Sequence, residues 1–462
     1  MTPLSPVQTP SALEPVATRL LRRVGIDRAV GFAVLGRAWS ALAGLVTLVL
    51  MTRCLSPEQQ GYYVTFGSVL ATAVFFELGL ALVLMQFASH ERAGLDWTAA
   101  GTLDGDPAAK RRLASLLQMS AKWYAVIGAV FVGVLLPLGL GFFGRHGSAA
   151  MNWQAPWVWI IGVSGASLAL MSVVAVLEGC GLIAEIVRLQ MWQNIAGSLL
   201  LWFALLHHWG LYAVPVTNTV SLVSTLLWLG LSQRRLVLDL FRTPVQGASV
   251  SWRNEIWPLQ WKVALSCVSG YFVFQLFNPI LFATHGAAAA GQMGLSITVL
   301  MTVGAVAMSW VATKAATFGA LIVRREFAAL DRLFFPCLWQ SWGLVSVLAA
   351  LVWAGDFALH QAGLPLSRRF LNPLPLGLLA LVTVFNHGIG AEAIYLRAHK
   401  REPYMVLSLI SASLVGLFAL LLGKPFGATG MMLAYVCIAP LSLSLATWIF
   451  VQKRREWHLA DQ

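Results

Sequence analysis

The sequence predicts an all-α, polytopic membrane protein of about twelve transmembrane helices, arranged as two six-helix lobes around a central cavity. Three observations predict it. Hydrophobic residues make up 58% of the 462 and charged residues only 11%, against about 25% charged in a soluble domain. Apolar runs long enough to cross a hydrocarbon core of about 30 Å recur along the whole chain. With the N-terminus placed inside, 23 of the 31 Lys and Arg fall in the tails and in alternate loops, the bias that orients membrane proteins. The net charge of +12 is therefore mostly a topology signal and not a nucleic-acid footprint.

Residues 1–29 form a polar tail carrying Arg19, Arg22, Arg23 and Arg28. They lack the short apolar core and cleavage site of a signal peptide and read as a cytosolic basic anchor for anionic headgroups. Hydropathy then places spans at 30–52, 62–87, 123–143, 156–178, 189–206, 211–231, 259–284, 290–313, 335–355, 373–396, 404–423 and 428–451. Spans 1–6 make an N-lobe over 30–231, and spans 7–12 a C-lobe over 259–451. The basic segment 232–258, with Arg234, Arg235, Arg242 and Arg253, is the cytosolic linker, and 452–462 is a cytosolic tail. A weak internal repeat supports the division. Gly61–Leu70 (GYYVTFGSVL) and Gly291–Leu300 (GQMGLSITVL) follow equivalent turns six spans apart, as parallel repeats about an axis normal to the membrane would.

The polar residues within the spans are the candidates for chemistry. Arg37 in span 1 and Glu77 in span 2 lie at depths where a lone charge is costly. They read either as a structural ion pair or as a site for an anion or a coupling cation. Gly36, Ser40 and Gly44, four apart, suit close helix packing and share the stripe of Arg37 and Thr47. Span 8 carries Thr298, Thr302, Ala305, Ser309 and Thr313 on one stripe. Span 7 carries Lys262, Ser266 and Ser269 on one face and Tyr271, Gln275 and Asn278 on another. Span 5 opens with Gln190, Gln193 and Asn194, and span 10 holds Asn386, His387 and Glu392. Such stripes serve helix packing or a ligand. Lys262 and Lys314, near helix ends, also read as snorkelling side chains. His387 reads as a packed core histidine, and Glu392, near a cytosolic end, either as a solvated residue or, with Glu77, as a coupling or ion-pair carboxylate.

If these stripes share one cavity, Arg37, Lys262 and Lys314 outweigh Glu77 and Glu392, and the cavity suits an anionic head group. Enzyme signatures are absent: no Walker A loop, HExxH or GxSxG occurs. Asp104-Gly105-Asp106 mimics a glycosyltransferase DxD but sits in a loop too short for a nucleotide-binding domain. The outer loops 144–155 and 356–372 are too short for a glycan-polymerising enzyme. No enzymatic activity, metal site or cofactor is expected. The five cysteines are scattered and read as apolar fillers.

The turn Arg53-Cys54-Leu55-Ser56-Pro57-Glu58-Gln59-Gln60-Gly61-Tyr62-Tyr63, continued by Glu77-Leu78-Gly79 and echoed at Gly286–Gly291, resembles the first hairpin of polysaccharide flippases. These belong to the multidrug/oligosaccharidyl-lipid/polysaccharide exporter superfamily. The resemblance implies a V-shaped pair of helical bundles that flips a lipid-linked saccharide, usually undecaprenyl-pyrophosphate-linked, to the outer leaflet by alternating access. It implies Arg53, Pro57 and Gly61 as a gating turn and Arg37 as a cavity cation. Coupling to Na+ or H+ is known in the family, and the ion here is left open. The partners expected are that lipid-linked sugar and membrane lipids, with a monomer as the working unit. The location expected is the bacterial inner membrane, with both termini cytoplasmic. The alternative is a cation-coupled multidrug or metabolite antiporter of the same superfamily, which would want an acidic cavity.

Overall fold

The computed structural model describes residues 28–460 apart from 246–249, 259, 262–263, 265–274 and 400. The basic tail, Lys262 and most of the expected seventh span therefore lie outside the described residues. The rest is helical except for one two-stranded hairpin.

Helix α1 (Arg28–Cys54) runs into a turn whose form is dictated locally. The Ser56 hydroxyl accepts from the Gln59 amide at 3.1 Å, and the Gln59 side chain accepts from the Ser56 amide at 3.0 Å. Pro57 stands in the first turn of α2 (Pro57–Leu70). This reciprocal cap with proline is the standard way to start a helix abruptly. Span 2 is then interrupted. After α3 (Ala73–Glu77), Leu78 and Gly79 take left-handed φ of 51° and 67° before α4 (Leu80–Arg92) resumes. The two parts of the span meet at 46°.

Strands β1 (Leu95–Trp97) and β2 (Leu103–Gly105) pair antiparallel. Asp106 caps the 40-residue α5 (Pro107–His146) through the Ala108 and Ala109 amides. At 1.5 Å per residue α5 is about 60 Å long, so its first turns project well beyond a bilayer. Helices α6 (Gln154–Leu177) and α7 (Ile183–Leu206) are joined by a π-turn at Glu178–Leu182, where Gly181 has φ 98°. Helix α8 (Val214–Leu231) and the short α9 (Arg234–Arg242) complete the first half.

The second half comprises α10 (Phe277–His285), α11 (Ala287–Ala312), α12 (Ala315–Val323), α13 (Phe327–Gln361), α14 (Pro373–Ala398) and α15 (Met405–Ala460). A straight helix of 56 residues would be about 84 Å long. Helix α15 is instead broken at Gly427, φ 58°.

Among the described residues, eight stretches are long and apolar enough to cross a membrane, or nine if the bent α2–α4 pair is one span. The expectation was about twelve. Two of the stretches, Gln154–Leu206 and Met405–Leu459, hold a break at Gly181 or Gly427 and have the length of two spans each. A third expected span falls largely on 259–276.

Within the first half α5 packs on α6 and α1 on α7; within the second, α14 packs on α15 and on α13. The halves meet chiefly where α2 crosses α11 and α10. A glycine is required there. A Cβ on Gly61 would enter the Ala287 carbonyl, and one on Gly291 would lie 2.9 Å from the Gly61 nitrogen. The two glycines occupy equivalent points of the sequence repeat, so related positions of the two halves touch each other.

Candidate functional site

The crossing of α2 and α11 is a polar seal as well as a packed one. Gln60, 1% exposed, donates through Nε2 to the Gly291 carbonyl at 3.0 Å and the Arg369 carbonyl at 3.2 Å. Asn278 on α10 donates to the Ser68 hydroxyl on α2 at 2.9 Å. Tyr62 sets its ring edge-on to Phe282 at 4.9 Å, and Phe143 meets Phe282 at 5.2 Å. These contacts gather at the end of the molecule that bears few basic residues. Of the expected gating turn, Pro57 opens α2 and Gly61 lies in the seal, whereas Arg53 is exposed at the end of α1. Asn278, expected to line the cavity, is buried inside the seal. Gln275 stands half-buried just before α10.

Toward the opposite, basic end the faces of α1 and α11 are open. Arg37, Ser40 and Gly44 are exposed. A Cβ on Gly36 would meet Met191 of α7 and one on Gly44 would meet nothing; larger side chains also hold α1 to α7. Trp39 donates to Ser198 at 2.9 Å, and Trp202 donates to Thr47 at 2.8 Å. Among the described residues no ion pair joins Arg37 to Glu77. Glu77 is half-buried instead, with the Ala81 backbone N–H pointing at its carboxylate across the break in span 2. On α11, Thr298, Ala305, Ser309 and Thr313 are exposed and Thr302 is half-buried, while Ile297, Leu300, Ala307 and Val311 are buried. The hydroxyls of Thr298 and Thr302 donate to the carbonyls four residues back at 2.8 Å, which leaves their lone pairs outward. Lys314, exposed, stands just past the end of α11, before α12.

Sequence reasoning did not foresee two polar sites. The first is a cavity of about 520 Å³ inside the first half, beside the break in span 2, whose flanking Ala73 and Ala81 line it. Glu178, Gln190, Gln193, Asn218, Ser164 and Ser167 supply its polar wall. Gln193 donates to Thr225 at 3.0 Å, Asn218 donates to Ser164 at 3.2 Å, and the buried Ser167 hydroxyl has no partner. The lining holds one acid and no Lys or Arg. Gln190 and Gln193 were legible as a polar stripe. The signal for Glu178 was its place beside Gly179 and Gly181, where a helix must bend.

The second site is in the other half. Of the two readings of Glu392, the solvated one fails: it is 4% exposed. Tyr404 donates to one carboxylate oxygen and Thr447 to the other, each at 2.8 Å. Tyr404 also lines a cavity of about 210 Å³ with Asn386, Ser411, Tyr435 and Ser442. No cation pairs with Glu392 among the described residues. His387 is packed as expected, its Nε2 3.0 Å from the Ser341 hydroxyl.

At the basic end the linker is tied to the first half by charge. Arg112, on the projecting part of α5, donates to Glu91 at 2.8 Å and to Glu255 at 2.6 Å. The Ser251 N–H and then Arg112 hold the Glu255 carboxyl below its ordinary range. The DxD-like Asp104 lies on the exposed face of the hairpin, opposite Asp96.

No protein-family model and no curated protein matches the sequence. Solved structures do match the fold. The inward-facing conformation of a multidrug resistance MATE family transporter of the MOP superfamily aligns with TM-score 0.61 and 14% identity over 92% of this chain and 98% of that one. An outward-facing conformation of such a transporter aligns with TM-score 0.51 and 13% identity over 93% and 96%. The lipid II flippase MurJ in an inward closed conformation aligns with TM-score 0.52 and 11% identity over 92% and 90%. The chain thus has the all-α, multi-pass membrane fold of the MATE and MOP-superfamily transporters.

Proposed function

We propose that this protein translocates a lipid-linked oligosaccharide or polysaccharide precursor from the inner to the outer leaflet of a bacterial cell membrane by alternating access. The observation that carries the reading is the asymmetry of the molecule. The halves are sealed through Gln60, Gly61 and Gly291 at the end poor in basic residues. At the basic end α1 and α11 present Arg37 and Ser309 outward, and Lys314 is exposed just past α11. A charged and hydroxylated wall facing hydrocarbon is costly, so it fits a wet cleft better than a lipid face. That cleft would take a phosphate-bearing head group from the inner leaflet, while the lipid tail stays in the bilayer. The fold shared with a lipid II flippase, and the higher score against an inward-facing than an outward-facing transporter, support the same reading. Lys262 is assigned to the same wall on sequence alone.

In this reading both termini are cytoplasmic, one chain is the working unit, and no catalysis is involved. We assign ion coupling to Glu392. A buried carboxylate held by two hydroxyl donors and no cation is suited to trade a proton or Na+. Glu77, beside the break in span 2, is the second candidate.

One observation favours an antiporter for cationic or neutral compounds. The cavity beside the span-2 break holds Glu178 and no base. The deciding experiment reconstitutes the protein in vesicles with fluorescent lipid-linked oligosaccharide and reads its leaflet with a membrane-impermeant quencher. Flipping by the wild type that is lost in Arg37→Ala supports the flippase. Absence of flipping, with ion-driven uptake of an organic cation that Glu178→Gln abolishes, supports the antiporter.

A further inference from the structure

The exposed surface of α9 has no role in either reading. The helix follows span 6 after two residues, Ser232 and Gln233, and packs Leu236 and Leu240 against α5. Its one acid is spent inward, since Asp239 pairs with Lys110 at 3.0 Å. At 100° per residue, Phe241, Arg234, Leu238, Arg242 and Arg235 fall in that order around the remaining arc, and all five are exposed. Among the described residues none of these three arginines has an acidic partner. Arg235 reaches only the Ala100 carbonyl, at 3.5 Å.

The height of α9 is fixed. Gln118 on α5 donates to the carbonyls of Leu240, Phe241 and Thr243. Gln118 lies five residues, about 7 Å, before Trp123. Trp123 is itself 48% exposed and meets Trp252 at 5.6 Å, as aromatic residues do at a membrane interface. The last turn of α9 is therefore level with the headgroups.

We propose that this arc of α9 is a docking surface for anionic phospholipid headgroups, with Arg234, Arg235 and Arg242 over the phosphates and Leu238 and Phe241 in the acyl boundary. Three unneutralised guanidinium groups interleaved with two large apolar side chains, at headgroup height, match the chemistry of a negatively charged leaflet and not of water alone. The contact would hold the linker flat on the membrane while the halves move.

The test is amide hydrogen exchange of the full chain in nanodiscs of phosphatidylcholine, with or without phosphatidylglycerol. The expected result is several-fold slower exchange in 234–242 with the anionic lipid. That increment should vanish in the variant Arg234→Gln, Arg235→Gln, Arg242→Gln and shrink in Leu238→Ser, Phe241→Ser. Exchange over 107–122 should stay unchanged in both, which shows that α5 and its packing survive. Equal exchange in the two discs, or an increment that persists in the triple variant, overturns the proposal.

Discussion

The side-chain amide of Gln60 donates to the carbonyl of Gly291, 231 residues away, at 3.0 Å. This contact closes the molecule at one end, and it exists only because Gly61 and Gly291 let two backbones meet. If the halves rock against each other, this is the contact that must part.

Removing the polar clasp loosens the seal. Gln60→Ala deletes the two interlobe hydrogen bonds that its amide donates, each contributing about 1 kcal/mol, together with the longer one it accepts from Arg369 at 3.5 Å. The sealed-to-open ratio is expected to fall roughly thirtyfold, from the factor of ten per 1.4 kcal/mol. Distances between spin labels at Ala150→Cys and Ala362→Cys, in exposed loops of the two halves, measure the shift. An unchanged distance distribution would show that the amide is not a clasp.

Filling the glycine seam goes further. Gly61→Val places branched carbons where the Ala287 carbonyl stands. Backbone cannot swing aside as a side chain does, and overpacking costs about 1–3 kcal/mol even where neighbours yield. The sealed form should be lost with the bundles intact. The same spin labels should report a single wider distance, with helicity by circular dichroism as in the wild type.

The cap at the head of α2 is a local device and should act locally. Ser56→Ala removes the acceptor of the Gln59 amide and is expected to cost about 1 kcal/mol. Amide exchange at residues 58–60 should quicken while the core of α14 stays protected. Uniform loss of protection would show that the turn organises more than its own helix.

Glu392 is expected to sense ions. In the wild type, raising Na+ or lowering pH should raise Tm, because the buried carboxylate gains a cation or a proton. Glu392→Gln keeps an acceptor for Tyr404 or Thr447 and should fold with that dependence abolished. A Tm that still responds equally to both would remove Glu392 from coupling.

The linker should release in acid. The Glu255 carboxyl is held below its ordinary range in the folded chain by the Ser251 N–H and Arg112. A carboxyl depressed on folding stabilises above its unfolded pKa, and that stability fades as pH falls through the lower, folded value. Protease cleavage within 250–257 should therefore be slow at neutral pH and quicken below the usual carboxylate range. Glu255→Gln should be cleaved quickly at every pH; slow cleavage there would refute the tie.

Much of the fold was written locally. Spans, the capped turn at Ser56–Gln59 and the break at Leu78–Gly79 depend on neighbours in sequence, and composition or motif exposes them. The pairing of Gly61 with Gly291 was half legible: the repeat made them equivalent, but nothing in it said that they touch. The open stripe of α11 was legible because helical periodicity puts Thr298, Thr302, Ser309 and Thr313 on one face.

By itself the sequence determined that the chain crosses a membrane many times and where its charged and polar residues stand along each helix. Those properties follow from hydropathy and from a fixed rise per residue. Only the tertiary structure decided which polar residues are enclosed. Glu392 is buried because Tyr404 and Thr447 reach it from beyond the next turn, and Asn278 is sealed because Ser68 meets it from the other half. Burial of a polar group depends on partners that close over it, and those partners come from distant parts of the chain.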